Sequence, residues 1–137
     1  MTNDETRMTN EISNANVQTP PPERDYDLEE RTAKFGEWVI RFTKAIPVNP
    51  VTGSLISQVV RSGTSVGANY CEANDVETKK VFRQKIATCR KEAKETKHWL
   101  RMLAVADENT KTEARKLWQE AKELNLIFST IHRNSRI

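Results

Sequence analysis

The sequence predicts an all-α protein, an antiparallel up-down-up-down four-helix bundle, oligomeric in its working form. Three observations carry that prediction. Ala, Glu, Lys, Leu and Arg supply 54 of the chain's 137 residues, against only 4 glycines and 5 prolines, a balance that favours helix. Apolar and small residues recur at alternating steps of three and four through four segments, the mark of a 3.5-residue seam. Short turns join these segments, so each helix runs antiparallel to the one before it.

Residues 1 to 24 precede the first helix. They are rich in Asn, Thr and Pro and have little to bury, so they are expected to form a disordered arm closed by Pro20, Pro21 and Pro22. The bundle domain is assigned to residues 25–137. Its first helix is expected to start near Asp25 to Asp27, with Asp27 and Glu30 spaced as a capping pair. Its seam is Leu28, Thr32, Phe35, Val39, Phe42 and Ile46, and Pro47 and Pro50 are expected to end it.

The second segment, VTGSLISQVVRSGTSVGANYCEA over residues 51–73, is unlike the rest of the chain. The protein is 30% charged, yet only Arg61 and Glu72 are charged here. A helix that is apolar or small around most of its circumference is buried on more than one side. The predicted reason is a second copy of the chain. Its own seam is Leu55, Val59, Ser62, Val66, Asn69 and Ala73. A neighbouring stripe, Ile56, Val60, Gly63, Gly67 and Tyr70, contains a glycine trough. Each helical glycine costs about 1 kcal/mol against alanine, so the trough answers a packing need, either inside the bundle or, as expected here, against another protomer.

Asn74 and Asp75 supply the turn into the third helix, whose seam is Phe82, Ile86, Cys89, Ala93, Thr96, Leu100 and Leu103. Thr110 and Glu113 are spaced as a second capping box. The fourth helix follows with Ala114, Leu117, Ala121, Leu124, Phe128 and Ile131.

Arg61, Ser65, Asn69 and Glu72 share one side of the second helix. Buried polar groups require partners. A turn centred near residue 75 or 76 brings Arg61 to Glu92 or Glu95, and Glu72 to Lys79 or Arg83. Such a network either fixes helix register or contacts a ligand.

Net charge is +3. Residues 1–24 hold four acids against two bases, a balance of −2, so the remainder carries +5. Within it, the third helix is the basic element: Arg83, Arg90, Lys94, Lys97 and Arg101 form one stripe beside its seam. Repeated around an oligomer, that stripe becomes a band able to meet phosphates. The alternative is a solvated face balanced by Glu92 and Glu95. No exposed Phe or Tyr interleaves the stripe, so base stacking is not indicated.

The string QVVRSGTSVGANYCEA, followed by FRQKIATCRKEAKETKHWLRML, resembles the family of four-helix bundle proteins first noticed in intervening sequences of bacterial 23S (large-subunit) ribosomal RNA genes. Gln58, Arg61, Ser62, Ser65, Asn69, Glu72 and Ala73 carry the match on the second helix. Phe82, Lys85, Glu92, Ala93, Glu95, Trp99 and Leu100 carry it on the third. It covers roughly residues 28 to 132. The resemblance implies a ring-like homopentamer. It also implies similarity to the accessory protein of diversity-generating retroelements, a basic pentamer that engages a reverse transcriptase and nucleic acid. Tyr70-Cys71 and Asn74 depart from the commoner members, as does the N-terminal arm.

Enzymatic chemistry finds little footing. Glu95 and His98 have Glu-x-x-His spacing, but Ser129 stands three residues before His132, so the paired element of a carboxylate-bridged metal site is missing. There is no phosphate-binding glycine loop or dinucleotide fingerprint, and Ser62 and Ser65 lack a nearby histidine. No catalytic residue, metal or cofactor is assigned. Cys71 and Cys89 have no metal spacing and fit a reducing compartment. The polar, acidic first residues are unlike a secretory signal, and no apolar run spans a bilayer. The expectation is a cytoplasmic non-enzyme that binds structured RNA or DNA, or a nucleoprotein complex, through the third helix. The alternative is a protein-interaction scaffold contacting an acidic partner, such as a reverse transcriptase. A carboxylate-bridged metal enzyme is the third reading.

Overall fold

The computed structural model describes residues 27–135; the expected disordered arm over residues 1–24 lies outside them. The described chain is four helices, α1 (Leu28–Lys44), α2 (Pro50–Ala73), α3 (Lys79–Ala106) and α4 (Lys111–Asn134), with a 3-10 turn, Glu108–Thr110, before α4. No strand occurs among the described residues. Each helix packs on its neighbours in sequence, and α1 closes onto α4 along a much narrower strip than any other neighbouring pair.

The seam residues are the core. All six of α1's seam positions, from Leu28 to Ile46, are buried, as are Ile86, Cys89, Ala93, Thr96, Leu100 and Leu103 of α3 and Ala114, Leu117, Ala121, Leu124 and Phe128 of α4. Phe82 and Ile131 lie at the ends and are partly covered. In α2, Val59, Ser62, Val66 and Ala73 are buried, while Leu55 is partly so. One polar pair sits in this core: Thr96 Oγ1 is 2.9 Å from Ser62 Oγ and donates to the Glu92 carbonyl at 2.7 Å.

The helix ends are fastened differently from the expectation. Neither Asp27 nor Thr110 makes a side-chain cap. Thr110 Oγ1 instead turns back to the Asp107 carbonyl at 2.7 Å, and Glu113 is drawn away to Trp38. α1 stops at Lys44, and Pro50 opens α2 rather than closing α1, since proline's missing N–H is no loss at a first helical position. The strong cap is Asn49. Its Oδ1 accepts from the amides of Val51 and Thr52, both at 2.9 Å, while Thr52 Oγ1 accepts from the Asn49 amide. Such a cap contributes about 1 kcal/mol.

The glycine trough is also corrected. A Cβ on Gly63 would stand 3.0 Å from Val39 Cγ2, and one on Gly67 would stand 3.3 Å from the Thr32 backbone. The trough therefore holds α1 of the same chain, drawn in by backbones that lack a Cβ. Tyr70 likewise turns inward, its ring 5.6 Å from that of Phe128. Of the five residues expected to meet another protomer, only Ile56 and Val60 have no such assignment; both are partly buried against the core. The row of α2 that does face solvent includes Ser54, Ser57, Arg61, Ala68, Cys71 and Glu72.

Candidate nucleic-acid interface

α3 carries nine basic and two acidic side chains. The helical period, together with the apolar seam, decides where they go. The two acids, Glu92 and Glu95, lie toward α2, whereas Arg83, Arg90, Lys94, Lys97 and Arg101 lie along the flank beside α4. At 1.5 Å per residue, that stripe runs about 27 Å from Arg83 to Arg101. Lys94 and Arg101 are exposed, and Arg83, Arg90 and Lys97 are half-buried. None of the five is in an ion pair among the described residues, whose pairs engage Arg31, Lys34, Arg41, Arg61, Lys85 and Lys116. Arg83 Nε is buried without a hydrogen-bond partner among the described residues.

α4 extends the positive surface. Lys111, Arg115, Trp118 and Lys122 follow at steps of four, three and four, one face of a helix. Asn125 Nδ2 donates to the Arg90 carbonyl at 2.8 Å, fixing α4 against α3. Across that contact, Lys97 Nζ lies 5.1 Å and Lys122 Nζ 5.7 Å from the centre of the Trp118 ring. The α4 row carries no sequence-level warning that it adjoins the α3 stripe; only the packing of the two helices brings them together.

The acidic side chains of α4 are engaged on its other side. Glu120 accepts from Arg31 Nε at 2.8 Å and Nη2 at 2.9 Å, Glu123 accepts from Nη2 at 2.9 Å, and Glu113 accepts from Trp38 Nε1 at 2.6 Å. The hydrogen bond to Glu120 is the main reason the Arg31 guanidinium holds its proton more tightly than usual, against the opposing effect of burial. The α3–α4 face is thereby left basic and the α1–α4 seam ionically paired.

The polar string on α2 divides in two. Arg61 Nη1 donates to Glu92 at 3.2 Å, Nη2 to Glu95, and Nε to Gln58 at 3.2 Å. Glu95 also accepts from Trp99 Nε1 at 2.9 Å. Glu72 does not meet Lys79 or Arg83; it pairs with Lys85 at 2.5 Å. Helical side chains lean toward their own N-terminus. In an antiparallel pair, α2's lean away from the connecting turn and α3's toward it, so contacts fall about a turn farther along α3 than the backbone register alone suggests. Asn69 joins neither group and donates to the Ser65 carbonyl of its own helix at 2.8 Å. The network is not deeply buried: the Arg61 and Glu72 side chains are 46% and 58% exposed.

Glu95 and His98 each have protein partners. Glu95 is held by Arg61 and Trp99, and His98 meets Trp99 edge-on at 4.9 Å. Among the described residues no three metal-ligating side chains cluster, and no helix is long and apolar enough to cross a membrane.

Comparison with known proteins places this geometry in a family. A solved structure from Bacteroides thetaiotaomicron, a protein of unknown function from the S23 ribosomal protein family, superposes with a TM-score of 0.69 at 26% identity, covering 80% of this chain and 97% of that one. No curated protein matches. The family model described as 23S rRNA-intervening sequence protein matches residues 24–130, which takes in all of α1, α2 and α3 and most of α4. The chain belongs to the 23S rRNA-intervening sequence protein family.

Proposed function

We propose that this chain is a non-enzymatic, homo-oligomeric bundle that binds structured RNA, or DNA, through the basic α3 surface. One observation carries the reading: Arg83, Arg90, Lys94, Lys97 and Arg101 share a flank on which, among the described residues, no carboxylate pairs with them, while the nearby acids are engaged by Arg61, Arg31 and Trp38. A row of cations along about 27 Å of helix favours a polyanion, because each phosphate neutralised releases condensed counterions. Self-association is supported by the small residues that α2 presents to solvent, Ser54, Ser57, Ala68 and Cys71, with Arg61 and Glu72 the charged members of that face.

The test is binding of the nucleic-acid-stripped protein, at known oligomer mass, to a structured RNA across a salt series. Micromolar or tighter affinity is expected, with log K falling steeply against log salt. Neutralising Arg90, Lys94 or Lys97 should lower the slope by about one each. No binding at low salt would overturn the reading and turn attention to an acidic protein partner.

A further inference from the structure

Three tryptophans are fixed in the bundle, and they are not equivalent. Trp38 donates its indole N–H to Glu113 and Trp99 donates to Glu95, so each is a hydrogen-bonded packing residue beside a carboxylate. Trp118 has neither feature. No hydrogen bond from its indole N–H occurs among the described residues. It is half-buried, and two ammonium groups from two different helices, Lys97 and Lys122, stand beside its ring. The acids of α4, Glu113, Glu120 and Glu123, are turned to α1.

Two like charges beside one ring repel each other, and an exposed cation–π contact holds each of them only weakly. An anion bound by both would relieve the repulsion and draw the ammonium groups off the indole, uncovering an aromatic surface beside the phosphate. An unpaired nucleotide offers both halves of what this arrangement lacks: a phosphate for the lysines and a base for the ring. A paired helix offers only the phosphates, because its bases are stacked on one another.

We infer that Lys97, Trp118 and Lys122 form a binding point for an unpaired nucleotide, at which the two lysines take the phosphate and the indole stacks on the base. The inference rests on the proposed basic interface and narrows its ligand to RNA or DNA with a single-stranded segment. It also revises the expectation that the face has no aromatic platform, since Trp118 reaches the α3 stripe from the neighbouring helix.

The experiment uses the full chain, freed of nucleic acid. It titrates the chain with a labelled oligouridylate of about 12 nucleotides, within the footprint of a single-strand-binding groove, and with an RNA duplex of matched length. The single strand should quench tryptophan emission, and the quench should disappear in Trp118→Phe. Trp118→Leu should weaken single-strand binding roughly tenfold, the size of one lost stack, and leave duplex binding unchanged. Lys122→Gln should weaken both ligands and lower the salt slope by about one. A folded Trp118→Leu protein that binds the single strand like wild type would overturn the inference, as would a quench that persists in Trp118→Phe. Those results leave the basic interface standing; only a wild-type protein that binds neither ligand removes both.

Discussion

Replacing Gly63 by alanine sets two effects of similar size against each other, and the geometry says which prevails. Alanine is the better helix former by about 1 kcal/mol. Its methyl group, however, would stand 3.0, 3.2 and 3.3 Å from three atoms of the Val39 side chain. Val39 is fully buried, and its branched Cβ leaves one strongly preferred rotamer in a helix. It can yield only by moving α1. Overpacking of this kind costs about 1–3 kcal/mol, so a net loss of about 1 kcal/mol is expected, or about 4 °C in melting temperature for a bundle of this size. Gly53→Ala is the internal control: its methyl would meet only Val48 Cγ1, at an ordinary 3.4 Å, so it should stabilise by about 0.5–1 kcal/mol. Thermal melts with light scattering read both quantities. Gly63→Ala should melt earlier at unchanged oligomer mass. Pairing it with Val39→Ala should cost less than the sum of the single changes, because the new methyl fills the space left behind. A Gly63→Ala protein with a raised melting temperature, or with normal stability and a smaller mass, would refute the packing argument and return the trough to a second copy.

Arg61→Met removes the cation from Glu92, which is only 8% exposed, and should cost about 1–2 kcal/mol in a denaturant melt. That is less than the loss of a fully buried pair, because the guanidinium is half in water; adding Glu92→Gln should recover part of it, and an unaltered single mutant would show the pair to be dispensable. A thiol reagent at mildly alkaline pH should modify one cysteine in the native protein and two after unfolding. Cys71 is exposed, whereas burial pushes the Cys89 thiol up to about 12. The folded state thus keeps a proton that the unfolded chain releases above about pH 9, so stability should fall as pH rises from about 9 toward about 12, less steeply in Cys89→Ala. Prompt native labelling of both thiols would contradict the burial of Cys89.

The sequence made the core legible because a heptad seam is a one-dimensional code. Every seam position of α1 is buried, and α3 and α4 depart only at Phe82 and Ile131. Features that depend on where a side chain ends, rather than where it starts, were not legible. Glu72 reaches Lys85 instead of Lys79 because side chains in the hairpin lean along it. Spacing alone cannot tell whether a glycine trough is filled by a neighbour in the chain or by another copy, and Gly63 and Gly67 are filled by α1. Capping pairs are two-residue signals, easily lost when a better partner exists, as Trp38 is for Glu113. The basic stripe was readable on α3, but its continuation through Lys111, Arg115 and Lys122 needed the α3–α4 contact fixed by Asn125.

The narrow strip between α1 and α4 has its own consequence. The bundle resembles a sheet of helices rolled until its two edges meet, and the edges are held by the ion pairs of Arg31 with Glu120 and Glu123 and by the hydrogen bond from Trp38 to Glu113. The other three junctions are broad, with α1 seated on α2 through glycine. Local opening is therefore expected to begin at the clasped edge, the junction with the least packing to lose. Closure, rather than helix formation, becomes the step that salt can loosen. A chain built this way keeps its helices while its interior is briefly within reach of another molecule.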